Sequence, residues 1–491
     1  MRMDKINLLV FLTLIAITII SLYPAIAFRQ PVVQTDGATH YTYAKLYVEK
    51  GLNAENPPYN KYGSGEEKVS DYPPFTAIFF GTILKIFGND VFWINGGLGL
   101  IFMLIASVSL YFFVKELFKS REIALISIMF FALNLRVYYT LFVGIYPALI
   151  ATCLSIPALY FSYKLFSSEK NNIINLSLII AATAAVIFTY PVMGFYLIIL
   201  VSFLWLGIKI NEKIEIKFPK ISIKIKESGL KEIKKILAIM IPIIIIFLFA
   251  LSLFTINERR ISWISEFRSE MFKSCPGYPC VWKYFPIMDG PLLVIFAILG
   301  FAYLFYKNKW NIIFLLLGGL AIVLLGSMVM SGIVYLIYRF YVLFSILLTI
   351  PASFFIYRLI SIKEIRKIGI LLLFITIFIQ AAILGYFYVH VQPSISETEV
   401  RAANVLYQYR NSDILYLVKE KEPGSFRSFK WILIYAKSEH YETPSSFNEV
   451  NISDFQYIFI NEKSKLTEQE KNILSNFSKI FDEGSVQIYK K

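Results

Sequence analysis

Asp36 is the carboxylate in this sequence best suited to catalysis, because it stands at the start of a predicted helix that carries further polar side chains. Thr35 is a favourable N-cap residue and Gly51 a plausible C-cap, so a helix is predicted between them. Helical periodicity places four polar residues on one stripe: Asp36, His40, Tyr43 and Tyr47. If this stripe faces a cavity, Asp36 can act as a general base. A solvated aspartate that only caps an interfacial helix explains the same spacing.

The composition of the chain is that of a polytopic membrane protein. Of its 491 residues, 57% are hydrophobic and only 17% are charged, and the mean hydropathy is +0.61. The formal net charge of +14 could indicate a nucleic-acid partner. The basic residues, however, fall mainly between apolar runs, which is typical of cytoplasmic loops. We therefore expect a lipid bilayer around the chain and no nucleic acid.

About eleven apolar runs are suited to cross a bilayer, whose hydrocarbon core of about 30 Å needs roughly 20 helical residues. They cover residues 8–28, 91–114, 123–140, 146–166, 173–190, 192–210, 236–255, 292–306, 312–329, 333–357 and 368–388. Residues 74–88 form a shorter apolar run with Lys85 inside it, which is more typical of an interfacial helix. Leaving that run out of the count places the basic clusters and the N-terminus together on the cytoplasmic side.

This topology divides the chain into two domains. Residues 1–389 form a multi-pass domain in the cell membrane, and its first outer loop, 29–90, contains Asp36. Residues 390–491 are placed outside by the odd number of spans. In that tail the runs ILYLV, WILIYA, FQYIFIN and VQIY indicate strands, and TEQEKNILSNFSKIF indicates a helix. The predicted fold class is an α-helical polytopic membrane protein with a small extracytoplasmic α/β domain at its C-terminus.

Four arginines lie near the predicted outer ends of the spans: Arg136, Arg259, Arg260 and Arg339. An arginine offers paired donors and stays charged, so it is suited to holding a phosphate. The same residues could instead direct their charge toward lipid headgroups without any further role. Since Asp36 is expected at the same membrane surface, an anionic lipid headgroup is a reasonable ligand there.

Cys275 and Cys280 bracket Pro-Gly-Tyr-Pro in a predicted outer loop. On an oxidising face, cysteines placed in this way predict a disulfide. A metal site built on two thiolates would need further ligands nearby, and the loop sequence offers none. Cys153 lies within an apolar run and is interpreted as a packing residue.

The order of these features resembles the GT-C superfamily of membrane glycosyltransferases. The resemblance rests on a first outer loop with Asp36 near its start, then Tyr41 and Ala44, the Tyr-Pro-Pro of residues 72–74, and a short apolar helix ending in Phe87 and Gly88. The later runs RVYYTLFVGIYP, FTYPVMG and YRFYVLFSILLTIPASF also fit. In the order of these features, the chain is most similar to archaeal and bacterial relatives of the protein mannosyltransferases and of the aminoarabinose transferase that modifies lipid A.

The resemblance implies a transferase that takes a sugar from a polyprenyl-phosphate donor, such as a dolichyl-phosphate sugar, at the outer leaflet. Asp36 matches the acid that deprotonates or orients the acceptor, which could be a glycan, a lipid or a protein. Arginines near the donor would stabilise the phosphate as it leaves. The expected substrate-binding residues are His40, Tyr43, Asp71, Tyr72, Arg136, Arg259, Arg260 and Arg339.

The sequence departs from the superfamily pattern directly after Asp36. Many members have two adjacent acids, whereas Gly37 follows here and leaves Asp71 as the only nearby substitute. Oligosaccharyltransferases carry an acidic metal motif and a Trp-Trp-Asp motif, but the outer loop 134–146 has no carboxylate and no two Trp residues are adjacent. We therefore expect transfer of a single sugar, without a metal or another cofactor.

Two other classes of protein also fit a basic polytopic chain. One is a lipid-linked glycan ligase, polymerase or flippase, although a transporter would show internal repeats or charges in mid-span, and few charges lie there. The other is a non-enzymatic membrane scaffold whose outer domain binds partners. Replacing Asp36 by Asn separates an enzyme from a scaffold, because only the enzyme would lose its activity.

Overall fold

The fold is known from a computed structural model that describes residues 4–33, 35–55, 57, 74–167, 173–213, 289–329, 334–389, 391–417, 423–444, 446–461 and 465–491. The membrane domain is helical, since a helix satisfies its backbone polar groups within one segment and needs no water to do so. Its helices are α1 Lys5–Ala27, α2 Thr35–Lys50, α3 Pro74–Phe87, α4 Asp90–Phe118, α5 Arg121–Ala132, α6 Leu135–Val143, α7 Tyr146–Phe166, α8 Ile173–Thr189, α9 Pro191–Lys213, α10 Pro291–Tyr306, α11 Trp310–Val329, α12 Val334–Ser361 and α13 Arg366–Val389.

Seven helical stretches in the described part of the chain are long and apolar enough to cross a membrane. They are α1, α4, α5 together with α6, α7, α9, most of α12, and α13 with the turn before it. Shorter apolar helices are α3, α8, α10 and the first part of α11. The prediction of a polytopic helical protein is confirmed, and the predicted span at 236–255 lies outside the described residues.

The predicted span 123–140 is not one continuous helix. The chain leaves α5 after Ala132 and starts α6 at Leu135. Asn134 causes the restart, because its side-chain oxygen accepts hydrogen bonds from the backbone N–H groups of Arg136 and Val137 at 3.0 and 3.4 Å. At the other end Gly144 closes α6 with a φ of +81°, a conformation that favours glycine.

The predicted first outer loop contains the helices α2 and α3. α2 covers the predicted range and ends at Gly51, whose φ of +81° agrees with its predicted role as a C-cap. α3 packs directly on α2 at Gly81, where an added Cβ would lie 2.6 Å from the carbonyl oxygen of Ala44. The middle of α2 therefore packs against the apolar helix α3.

The C-terminal domain contains a five-stranded mixed sheet flanked by helices. Its elements are α14 Glu397–Tyr407, β1 Asp413–Leu417, α15 Pro423–Ala436, β2 His440–Glu442, β3 Tyr457–Ile460, α16 Glu468–Leu474, β4 Ser478–Glu483 and β5 Val486–Lys490. The strand order is β2-β1-β3-β5-β4, with β1 parallel to both neighbours and β5 antiparallel to both of its own. The predicted small α/β domain is confirmed.

Two element predictions in this domain were wrong. WILIYA belongs to helix α15 rather than to a strand, because a helix buried on nearly all sides has the same continuous apolar run as a buried strand. The predicted helix TEQEKNILSNFSKIF ends at Leu474, and its last residues enter β4. Pairing with β5, which the local sequence does not reveal, decides the structure of that segment.

The two domains share one apolar core. The cluster that fills the helical bundle also includes Val391 and Ile395, which follow the last span, and Trp431 of α15. Trp431 is fully buried, so the C-terminal domain is packed on the membrane domain at this point.

Candidate active site

Asp36 lies in the first turn of α2 and is half-buried. The N-terminus of a helix favours negative charge, because the first backbone N–H groups point toward it. This position suits a carboxylate that must be ionised to accept a proton. Asp36 therefore lies at the start of the helix that the sequence predicted, and the position of this helix on the outer side of the membrane stays a prediction.

Gly37, the residue after Asp36, packs against the end of α6. A Cβ built on Gly37 would lie 2.8 Å from Cβ of Val33 and 3.3 Å from Cα of Gly144. A Cβ on Gly144 would in turn overlap the backbone of Gly37. No side chain, and so no second acid, fits at position 37 without movement of its neighbours.

Asn95 fixes the extended segment that precedes Asp36. Its side-chain oxygen accepts a hydrogen bond from the N–H of Val32 at 2.9 Å, and its amide nitrogen donates to the carbonyl of Gln30 at 2.9 Å. Asn95 is fully buried in a π-helical turn of α4, Trp93–Gly97, that meets α1 at Ser21. Polar contacts of this kind are strong when water is excluded, so the entry into α2 has a defined position.

His40 and Tyr43 follow Asp36 along α2, and both are buried. The ring of His40 lies 6.2 Å from that of Tyr146, centroid to centroid, and the Tyr146 hydroxyl donates to the carbonyl of Ile94 at 2.5 Å. Tyr43 packs with Leu46, Ala54 and Ala77. His40 thus packs toward α7 and Tyr43 toward α3, and the substrate-binding roles of both residues stay predictions.

Arg136 is fully buried and forms an ion pair with Asp289. Its Nε and one terminal nitrogen donate to the two carboxylate oxygens at 2.9 and 3.2 Å. Arg136 therefore does not reach toward lipid headgroups, which was one of the two interpretations of the sequence. The two-pronged geometry is the strong form of an arginine–carboxylate contact.

A polar network surrounds this ion pair. Ser345 of α12 donates to the Asp289 carboxylate at 2.5 Å and accepts a hydrogen bond from the Asn134 amide at 2.6 Å. The guanidinium of Arg136 also lies 5.4 Å from the ring centroid of Tyr341. The network links α6, α12 and the chain immediately before α10, so it fixes the start of α6, whose other end meets Gly37.

Tyr41 and Lys45 occupy another face of α2, directed at Asp90. The Tyr41 hydroxyl donates to this carboxylate at 2.8 Å, and the Lys45 ammonium lies 2.6 Å from it. Burial and the nearby Asp90 charge both hold the pKa of Tyr41 far above its usual value. Tyr41 is therefore a neutral hydrogen-bond donor at any ordinary pH.

The remaining predicted site residues have no described side chain. Six of them lie outside the described residues: Asp71, Tyr72, Arg259, Arg260, and the two cysteines of the predicted disulfide, Cys275 and Cys280. Arg339 lies in α12, in a stretch where only the backbone is described. Cys153 is fully buried, in agreement with its interpretation as a packing residue.

Sequence reasoning missed Asn95 and Asp289. Asp289 had a usable signal, because a carboxylate beside a span is costly and requires a partner. Asn95 lies in the run INGG at the start of an apolar segment, where a buried amide also needs partners. In neither case does the sequence say which partner it is.

Among the described residues, no group of three or more His, Cys, Asp and Glu side chains lies close enough to hold a metal ion. The residue that follows Asp36 is Gly37, which offers no side-chain ligand. The described donor set therefore does not fit a metal centre, and the expectation of metal-independent chemistry stays a prediction.

Comparisons with known proteins identify the relatives of this fold. Residues 71–225 match the sequence model of the dolichyl-phosphate-mannose-protein mannosyltransferase family. The apo oligosaccharyltransferase of Archaeoglobus fulgidus is similar over 93% of this chain and 69% of its own, with 10% identity and a TM-score of 0.56. AglB from the same organism, in complex with an inhibitory peptide and a dolichol-phosphate, is similar over 92% of this chain and 69% of its own. Its sequence identity is 9% and its TM-score is 0.56.

ArnT from Cupriavidus metallidurans bound to undecaprenyl phosphate is similar over 98% of this chain and 97% of its own, with 12% identity and a TM-score of 0.48. No match is found among curated proteins. The predicted resemblance to the GT-C superfamily is confirmed, and the family match confirms the prediction of a glycosyltransferase. The matched range begins after Asp36, whose role therefore stays a prediction.

Proposed function

We propose that this chain transfers a sugar from a polyprenyl-phosphate donor to an acceptor hydroxyl, with Asp36 as the base, at the outer face of the cell membrane. The observation that carries the proposal is the placement of Asp36. It is a half-buried carboxylate on helix α2, whose start is fixed by Asn95 and by the contact between Gly37 and Gly144. A fixed carboxylate can be in place before the substrate arrives, which is what general-base catalysis requires.

The chemistry needs few groups. The acceptor oxygen attacks the anomeric carbon, the bond from this carbon to the phosphate oxygen breaks, and the acceptor proton passes to the Asp36 carboxylate. The products are the glycosylated acceptor and a polyprenyl phosphate, which keeps the bonding electrons as an anion. A cation beside that phosphate lowers the barrier, and the candidates are Arg259, Arg260 and Arg339.

Arg136 has a different part in this proposal. Since its guanidinium is bound to Asp289 on two nitrogens, it supports the start of α6 rather than the leaving phosphate. The donor class is supported by the family match, whose members are described by a dolichyl-phosphate sugar. Dolichol-phosphate in AglB supports the same class of carrier in a protein of similar fold.

The test compares Asp36→Asn with Glu49→Gln, a matched amide replacement at an exposed residue of the same helix. Both variants and the native chain are reconstituted in liposomes with radiolabelled dolichyl-phosphate mannose and an extract of the native membrane as the acceptor. The measurement is release of dolichyl phosphate and label in the acceptor. We expect Asp36→Asn to lose about 100-fold or more of the rate, the usual scale of a general base, and Glu49→Gln to keep it.

A parallel binding measurement separates chemistry from folding. Photo-crosslinking of the donor should be nearly equal in the native chain and in Asp36→Asn, because the base acts on the acceptor. Full turnover by Asp36→Asn would overturn the proposed role. Movement of the donor across the liposome without cleavage would favour the flippase alternative.

A further inference from the structure

The C-terminal domain reaches the segment that leads into Asp36. Trp431 of α15 donates its indole N–H to the carbonyl of Val33 at 3.0 Å, and both residues are fully buried. Val33 is in turn the side chain that fills the space beside Gly37, as the glycine contact shows. A single chain of contacts therefore runs from the C-terminal domain through Val33 to the residue adjoining Asp36.

Ser394 makes the neighbouring contacts from the linker between the last span and the C-terminal domain. Its backbone N–H donates to the carbonyl of Pro31 at 2.7 Å, and its hydroxyl donates to the carbonyl of Val32 at 3.0 Å. Three consecutive carbonyls before α2 are thus held by residues at least 360 positions later in the chain. Buried backbone carbonyls need such partners, so their loss would free the segment to shift.

We propose that Ser394 and Trp431 are positioning residues through which the C-terminal domain sets the place of the Asp36 carboxylate. This inference rests on the proposed role of Asp36 as the base. It assigns to the outer domain a part in the chemical step, in addition to any contact with the acceptor. Catalysis is sensitive to displacements of about 1 Å, and a shift of Val33 would be passed on to Gly37 by direct contact.

The variants are chosen to remove one hydrogen bond each. Trp431→Phe keeps a ring near Tyr41, which lies 5.8 Å away between centroids, but removes the N–H donor. Ser394→Ala removes the hydroxyl, and Ser394→Thr restores it. Ser438→Ala is the matched control, because this buried hydroxyl of the same domain bonds Tyr416 and not the segment before α2.

The kinetic readout is the division between kcat and KM for the donor in the liposome assay. Trp431→Phe and Ser394→Ala should each lower kcat by about 3- to 10-fold, the rate equivalent of one net hydrogen bond, with a nearly constant KM. Ser394→Thr should recover most of the rate. Ser438→Ala should leave kcat unchanged even if it lowers thermal stability.

A second readout does not depend on activity. Hydrogen exchange in peptides covering residues 28–44 should be faster in Trp431→Phe and Ser394→Ala than in the native chain or in Ser438→Ala. The positioning role is overturned if Trp431→Phe and Ser394→Ala leave hydrogen exchange in that segment unchanged. It is also overturned if they lower kcat no more than Ser438→Ala does. If exchange is faster but the Asp36→Asn variant stays active, the positioning contacts are supported. The proposed role of Asp36 as the base is then wrong.

Discussion

Gly144 lies so close to Gly37 that a side chain at position 144 would overlap the backbone nitrogen of residue 37. The end of α6 and the start of α2 are therefore in backbone contact directly beside Asp36. Such an approach is open only to glycine, and Gly144 also has a φ of +81°. The position of Asp36 thus depends on two residues that carry no functional group.

Replacing Gly37 by Ala should destabilise the protein by about 1–3 kcal/mol, the usual cost of overpacking. Gly144→Ala should cost more, since the obstructing atoms belong to the backbone and its φ is unfavourable for alanine. Gly385→Ala in α13 is the control, because a Cβ there meets nothing within 4 Å. Thermal unfolding in detergent measures all three, and equal stability of Gly37→Ala and Gly385→Ala would contradict the close contact.

The sequence was sufficient for elements whose signals are local. The range of α2 could be predicted from Thr35 and Gly51, because residues that favour helix ends act within one or two turns. Gly51 has the positive φ expected of a C-cap, whereas the capping role of Thr35 stays a prediction. The spans could be recognised because the bilayer requires long apolar helices. The prediction of a strand at WILIYA was wrong, because six consecutive apolar residues show no periodicity that separates a strand from a helix. Only the packing of α15 makes them helical.

The contacts around Asp36 could not be predicted, because their partners are far apart in the chain. Trp431 and Ser394 bind carbonyls near residue 32, and backbone carbonyls leave no trace in a sequence. The partner of Arg136, Asp289, stands 153 residues away. A single sequence therefore indicates that a buried charge or amide needs a hydrogen-bond or ion-pair partner, but it does not indicate which residue the partner is.

The ion pair between Arg136 and Asp289 gives a second prediction. Asp289→Asn should destabilise the protein by about 3–5 kcal/mol, because it leaves a buried guanidinium without its compensating charge. The double variant Arg136→Met with Asp289→Leu should recover a large part of this loss. Glu468→Gln, which breaks an exposed pair with Lys471, should have a much smaller effect. Chemical denaturation measures the free energy of unfolding of all three variants. An equal loss of stability in Asp289→Asn and Glu468→Gln would contradict the burial of the Arg136–Asp289 pair.

Lys430 in α15 gives a prediction about pH. Burial lowers the pKa of Lys430 from 10.5 to about 8, so the unfolded chain holds more protons than the folded chain between these values. Stability should therefore rise as the pH rises from about 8 toward 10.5, and the penalty should be complete below pH 8. Lys430→Met should remove up to roughly 3 kcal/mol of this penalty at pH 7 and flatten the pH dependence.

The measurement is thermal unfolding of the native chain and the variant across pH 7 to 10.5. Lys490→Met, an exposed replacement in the same domain, serves as the control and should leave the slope unchanged. Destabilisation of the protein by Lys430→Met at pH 7 would contradict the penalty.

The sidedness of the membrane domain gives the last prediction. Glu49 at the end of α2 and Glu364 between α12 and α13 are both exposed, and the expected topology places them on opposite sides of the membrane. Single cysteines are introduced as Glu49→Cys or Glu364→Cys in a chain with Cys275→Ser and Cys280→Ser, whereas the buried Cys153 is kept. An impermeant maleimide applied to intact cells should label position 49 and leave position 364 unlabelled until the membrane is opened. Labelling of position 364 but not 49 would place Asp36 in the cytosol, away from a donor in the outer leaflet, and would overturn the proposed function.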